Sequence, residues 1–365
     1  MSEENKKGNK LSTIRIKRYK SLRESHVEMQ DLNVLIGANA AGKSNFLSLF
    51  TLVQNILNQK LQYYVIQKGG PDNLLHFGRK TSINFEIELQ FRDSSYYEFI
   101  LEPTPDNQMV FVREVFASGG AEYNQLQIAH LESNLPATRE NNFHPTFKPM
   151  KGWYVYHFQD TSQSARIKGL HCINDNLFLH PDAGNLAAFL YLLNKMHPSE
   201  YDLIVKTVRL VAPFFDNFML RPHPHNEDLI ELEWKDKYNN TPWKAHLLSD
   251  GTLRFICLAT LLLQPAIYLP KTIIIDEPEL GLHPYAIDLL GGILRSVSKQ
   301  SQIIVTTQST GLLNCFSPKD VIVVDRINGI SALRRLDESK LGNWLEDYSL
   351  GHLWEMNVIG GRPAQ

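Results

Sequence analysis

The rhythm of apolar and polar positions changes several times along the chain, and each change marks a part of it. Thr13–Tyr19 and His26–Met29 alternate with the period of half-buried strands, and Leu32–Ile36 is a short uninterrupted apolar run. Asn45 to about Leu61 instead carries Phe46, Leu49, Phe50, Val53, Ile56 and Leu57 at helical spacing. Between Ser82 and Val115 the alternation returns in runs at Ile83–Leu89, Tyr97–Leu101 and Met109–Val115, with turn-forming residues between them. That pattern predicts an antiparallel β-meander. Residues 118–152, with Pro136, Pro145 and Pro149, have little periodicity and read as an irregular insertion. Trp153–Phe158 returns to strand character.

Leu186–Met196 and Tyr201–Val211 are amphipathic and are broken at Pro198 and Pro213, which predicts a compact helical lobe inserted between two parts of a sheet. Ile230–Trp234 and Trp243–Leu248 are strand-like. From residue 249 strand and helix alternate: a mostly apolar helix at Thr252–Leu263, a β-branched strand at Thr272–Ile275, a helix at Pro284–Val297, a strand at Gln302–Thr307 and a helix at Thr310–Phe316. Strands at Asp320–Asp325 and Ile330–Leu336 and a helix at Gly342–Ser349 follow. Such alternation implies a parallel sheet covered on both faces. Residues 1–10 are polar and expected to fray. No internal repeat or low-complexity tract is seen.

Composition narrows the function classes. The 365 residues are 43% hydrophobic and 21% charged with a net charge of −2, which excludes a wholly basic nucleic-acid binder. A local patch stays open: Arg15, Lys17, Arg18, Lys20 and Arg23 either contact nucleic-acid phosphates or form the solvent face of an edge strand. No apolar run reaches bilayer length and no secretory apolar segment follows the polar start, so a soluble cytoplasmic protein without a membrane partner is expected. Cys172, Cys257 and Cys315 lie far apart, which suits a reducing compartment and gives neither a disulfide framework nor a zinc site. His223 and His225 stand in a proline-punctuated loop and read as solvated rather than metal-binding.

The sharpest chemistry lies between Val34 and Leu47, a strand, a glycine-bounded loop and a helix start. Gly37 to Ser44 meets the pattern G-x-x-x-x-G-K-S in full. Gly37 and Gly42 let successive N–H groups turn inward around a phosphate, with Asn39, Ala40 and Asn45 in the same stretch. Lys43 reaches toward β- and γ-phosphates, and the Ser44 hydroxyl suits Mg²⁺. A second cluster follows the buried run Ile273–Ile275, where Asp276 suits a Mg²⁺ water shell and Glu277 can polarise an attacking water. Leu248-Ser249-Asp250-Gly251-Thr252 opens the apolar helix; a plain N-cap has the same residues, but the place shortly before the acidic strand favours an anion site.

Taken in order, the phosphate loop, Leu-Ser-Asp-Gly-Thr, Asp-Glu-Pro-Glu with Gly281-Leu282-His283-Pro284, and Thr306-Thr307-Gln308-Ser309 resemble the ABC-type ATPases of the RecF/SMC-like branch, in the single-chain group labelled AAA family ATPases. The likeness extends to Tyr156–Ser162, Asn185–Leu190, Tyr348–Trp354 and Gly360–Pro363. It implies an α/β ATPase head with a mixed sheet, an antiparallel β subdomain and an inserted helical lobe. Along the chain this is an N-terminal ATPase lobe at 11–117, an insertion with helical lobe at 118–248 and a C-terminal lobe at 249–365. It also implies ATP and Mg²⁺ as cofactors, and a homodimer or higher homo-oligomer in which Ser249, Asp250 and Gly251 of one copy meet the γ-phosphate held by Gly37–Ser44 of another. Gln159 would then sense Mg²⁺ and the attacking water, and residues 279–284 would cross the interface.

Gln308 stands where the resemblance expects a histidine. An amide donates a neutral hydrogen bond but carries no proton, which implies slow turnover. By analogy the chain would regulate a partner effector such as a nuclease in defence against phage or foreign DNA. The alternative is an ATPase that clamps DNA directly, as RecF does. A transporter subunit is disfavoured by the sheet insertions and by the long gap between phosphate loop and Ser249. Long coiled-coil arms are excluded by Pro198 and Pro213.

Overall fold

The computed structural model describes residues 10–117, 124–125, 129–135 and 147–361. The expected fraying of residues 1–9, much of the expected irregular insertion, and Arg362 and Pro363 of the tail motif lie outside these described residues. In chain order the first elements are β1 (Leu11–Tyr19), β2 (Leu22–Glu28), β3 (Leu32–Ile36), α1 (Lys43–Leu57), α2 (Leu61–Gln67), β4 (Phe85–Phe91), β5 (Tyr96–Pro103), β6 (Met109–Ala117), β7 (Asn124–Gln125) and β8 (Val155–Tyr156). Next come β9 (His171–Cys172), α3 (Leu186–Met196), α4 (Pro198–Val211), β10 (Phe215–Phe218), β11 (Leu229–Ile230), β12 (Glu233–Asp236), β13 (Asn239–Lys244) and α5 (Asp250–Leu263). The last are β14 (Thr272–Asp276), α6 (Pro284–Val297), β15 (Gln302–Thr307), α7 (Thr310–Leu313), β16 (Val321–Ile327), β17 (Ile330–Arg335), α8 (Trp344–Asp347) and α9 (Leu350–Glu355).

The chain divides into two compact units, 1–155 with 270–274 and 298–365, and 156–269 with 275–297. The boundary falls within β8 and β14. In the first unit, β4, β5 and β6 form the predicted antiparallel meander inside a sheet of order β2-β1-β4-β5-β6-β7. The second sheet, of order β17-β16-β3-β15-β14-β8, is mixed: β3 pairs parallel with β15 and β16, whereas β16 and β17 are antiparallel. Every residue of β3 and β15 is buried, as central strands covered on both faces require. The buried Gln302 side chain joins the sheets, accepting from Leu11 N and donating to the Leu11 and Gln30 carbonyls, each at 2.9 Å. α1 packs Phe46, Phe50 and Val53 into the shared core. The second unit holds α3 to α6 and the three-stranded sheet β10-β12-β13.

Several expectations need correction. The helix after the phosphate loop starts at Lys43 and ends at Leu57, and Leu61–Gln67 is a separate helix. The break at Pro198 holds, but the second helix begins at Pro198 rather than Tyr201, with the proline at the first-turn position where its missing N–H costs nothing. Trp153–Phe158 contributes only Val155–Tyr156 as strand, because Trp153 instead buries its ring against Phe50 and Phe91. The run Ile230–Trp234 is split between β11 and β12, and the strand expected at Trp243–Leu248 ends at Lys244 in favour of a 3-10 turn at Ala245–Leu247. Helix α7 stops at Leu313, short of Phe316, and the final helix is two short ones, α8 and α9. No helix among the described residues is long and apolar enough to cross a membrane.

Candidate functional site

In the first unit β3 delivers the chain to Gly37, and the loop closes where α1 begins at Lys43. Sterics dictate both glycines. A Cβ on Gly37 would sit well inside 3.0 Å of the Val324 carbonyl oxygen, and one on Gly42 would collide with Ser331 Oγ. Gly42 also has φ +122°, a conformation that side chains disfavour. Lys43 is 5% exposed and folds back over the loop, donating from Nζ to the Gly37 carbonyl at 2.6 Å and the Ala38 carbonyl at 3.1 Å. Asn39, Ala40 and Ser44 are exposed around it, and Asn45 is half-buried. Gly42, the N-cap of α1, offers no side-chain cap, and no acidic residue stands in the first turn. The positive start of α1 therefore carries neither a side-chain cap nor an acid, which suits a phosphate.

Other residues brace the loop, and the sequence reading missed them. Ser331 Oγ lies 2.7 Å from Ser21 Oγ and also reaches the Ala41 carbonyl, Asn45 Nδ2 donates to Ser21 Oγ at 2.7 Å, and an Arg326 guanidinium N–H donates to the Ala40 carbonyl at 2.8 Å. A serine in a turn and a serine in an edge hairpin carry no signal in sequence. Gln308 follows the buried Thr306 and Thr307 at the end of β15, where Ser309 N bonds Thr307 Oγ1 at 3.0 Å and Ser309 caps α7.

The second unit carries the other predicted residues. Ser249 caps α5: its Oγ accepts from Thr252 N at 3.2 Å and lies 2.8 Å from Thr252 Oγ1. Asp250 is exposed, 3.9 Å from Lys168 Nζ. Gly251 is where α5 meets the 279–284 loop, since a Cβ there would strike the Gly281 carbonyl. Gln159, Asp276 and Glu277 line one small cleft with Arg254 and Leu280. Arg254 holds it together, donating to the Leu280 carbonyl at 3.0 Å and the Gln159 carbonyl at 2.9 Å. Its signal was legible: a lone cation within an otherwise apolar helix. His157 Nδ1 stands 3.5 Å from an Asp276 carboxylate oxygen. Glu277 has φ +46°, an uncommon conformation for a non-glycine residue and one that clusters at functional sites. The Ser44 hydroxyl and, in the other unit, the Asp276 carboxylate are each a hard oxygen donor of the kind that Mg²⁺ takes.

Tyr19, whose ring suits either a base stack or the core, is fully buried and bonded to Ser48 Oγ at 2.9 Å. Arg15, Lys17 and Arg18 of the basic run do not lie on an edge strand, because β1 is interior, between β2 and β4, whereas Arg23 stands exposed on β2 at the edge. Arg15 and Lys17 pair across to Glu88 and Glu86 at 3.3 and 2.9 Å, Arg18 bonds Asn84, and Lys20 is turned inward to Ser48 Oγ at 2.7 Å. Burial and the charge of Lys68 lower the Lys20 pKa to about 8. Among the described residues no group of three or more His, Cys, Asp or Glu is placed to hold a metal by itself.

Comparison with known proteins bears on the family and the fold. Residues 32–314 match the sequence profile of a family described as "AAA domain, putative AbiEii toxin, Type IV TA system". No curated protein matches the chain. Among solved structures, an SMC head bound to the C-terminal winged-helix domain of ScpA aligns with TM-score 0.59 at 13% identity, covering 90% of this chain and 98% of that one. A Pyrococcus furiosus SMC head with an extended coiled coil, bound to the C-terminal domain of ScpA, aligns with TM-score 0.59 at 12% identity, covering 92% and 98%. At such identities the likeness is one of fold: an α/β head with a mixed sheet and an antiparallel sheet.

Proposed function

This chain belongs to that AAA domain family, and we propose that it binds and hydrolyses ATP with Mg²⁺ and acts as an ATP-switched dimer that controls a partner protein. The observation that carries the reading is the phosphate loop, with Lys43 folded over its carbonyls at the uncapped start of α1. In this reading Gly37, Asn39, Ala40, Gly42, Lys43, Ser44 and Asn45 hold the phosphates. Ser44 and Asp276, with Gln159, serve the Mg²⁺ shell, and Glu277 orients the attacking water. When bound, Mg²⁺ neutralises charge on the phosphates. Gln308 supplies a neutral donor to the γ-phosphate, so the chain holds ATP long relative to each turnover. Ser249, Asp250 and Gly251 serve a second copy's nucleotide.

In this reading the partner is an effector such as a nuclease in defence against phage or foreign DNA, by analogy with the group the sequence resembles. The SMC heads of similar fold were each solved with a ScpA domain bound, which supports a protein partner for such heads. Direct DNA clamping is the weaker reading, since Arg15 and Lys17 are already paired within the sheet. Phosphate release from Mg²⁺-ATP by the purified chain tests the core of the proposal. Mg²⁺-dependent release supports it; no release together with no ATP binding contradicts it. Copurification with the product of the neighbouring reading frame tests the partner, and a titration with duplex DNA at low salt, with and without ATP, tests the alternative.

A further inference from the structure

The tail, which the resemblance includes but assigns no role, returns to the phosphate loop. Asn314, just past α7, accepts from Gly351 N at 2.7 Å, and a Cβ on Gly351 would strike the Thr310 carbonyl, so α9 lies tight against the segment that follows Gln308. From α9 the chain runs to Gly360 and Gly361, with φ +80° and +81°. Gly361 N donates to Asp325 Oδ1 at 2.6 Å, and Arg334 bonds the Ile359 carbonyl at 2.9 Å while standing 3.9 Å from the Asp325 carboxylate. A Cβ on Gly361 would lie 3.1 Å from Trp354 Nε1, 3.2 Å from Val323 Cγ1 and 3.4 Å from Gly37 Cα. Gly37 is thus held between the Val324 carbonyl and the tail.

One further observation sets this strap apart from ordinary packing. Trp354 Nε1 is buried beside Gly361 and finds no hydrogen-bond acceptor among the described protein atoms. Buried donors are almost always paired, and exceptions tend to mark places where something other than stability was kept.

We propose that the tail Leu350–Gly361 is a positioning element of the nucleotide site: it fixes the first glycine of the phosphate loop and ties it to the segment following Gln308. The inference rests on the reading of the loop as an ATP site. The strap acts through Asp325, which hangs from β16 and fastens Gly361 in the turn that abuts Gly37. Loss of that anchor frees Gly37 on its tail side while leaving the sheet pairing of β16 with β3 in place.

The test compares Asp325→Ala, which removes the acceptor, with Asp325→Asn, which keeps it, in the full-length chain with a fluorescent ATP analogue as probe. Asp325→Ala should weaken binding by about tenfold, the size of one lost net hydrogen bond, with Asp325→Asn within about twofold of the parent. Melting temperature is read alongside, since a merely structural role lowers it without moving the affinity of the folded fraction. Unchanged affinity in Asp325→Ala overturns the proposal, as does equal weakening in both variants. Should Asp325→Ala not fold, Gly361→Ala takes its place, with the same expected tenfold loss and the same overturning result. If the parent chain binds no analogue, it is the ATP reading itself that fails.

Discussion

Two helix starts in this molecule look alike in sequence and differ in how they are finished. α1 opens from Gly42 with no side-chain cap and no acid in its first turn. α5 opens from Ser249, whose hydroxyl already accepts from Thr252 N, and places Asp250 in its first turn. An acid and a filled cap satisfy a helix end from within the chain. In the composite site we propose, the start of α1 is the half that binds phosphate and Ser249–Gly251 is the half that completes it for another copy.

The largest effect that would break this contrast is at Lys43. Lys43→Ala should lower ATP affinity by about 100-fold, as loss of a charge-assisted contact to phosphate implies, and equilibrium titration with a fluorescent ATP analogue measures it. A drop below threefold would mean that α1 is not the receiving end. Ser249→Ala sharpens the contrast from the other side. It should cost about 1 kcal/mol of stability as a lost cap, leave ATP affinity of the isolated chain unchanged, and reduce phosphate release by tenfold or more, about the loss of one hydrogen bond. Calorimetry and a phosphate assay separate those effects; an equal fall in affinity would show that Ser249 serves its own copy's nucleotide.

The smallest effect concerns Lys20, which bonds Ser48 of α1. Its folded pKa of about 8 lies below the ordinary value of 10.5, so the unfolded chain binds more protons between those values. Stability then rises with pH from about 8 toward 10. Lys20→Met should remove that rise in thermal melts; a persistent rise would place its origin elsewhere.

Much of the candidate site can be proposed from the sequence because its chemistry needs fixed spacings. The phosphate loop, Asp276 and Glu277, and Ser249–Gly251 are each contiguous, and each sits where a strand ends or a helix begins. Helix α6 and strand β15 agree residue for residue with the apolar rhythm because they are long and regularly patterned. What was not legible was decided by tertiary contact. Trp153 is turned from strand to core by Phe50 and Phe91. Ser21 and Ser331 meet although 310 residues separate them in sequence. Tyr19 reads alike as a base-stacking or a core ring until its surroundings are known, and β1 reads as an edge strand until β4 is seen beside it.

The central claim is that ATP completes this protein only when two copies meet. The most direct measurement is the mass in solution, by light scattering after gel filtration, of Glu277→Gln with saturating Mg²⁺-ATP. The account predicts a dimer that reverts to monomer without nucleotide, and a monomer at saturating ATP would contradict it.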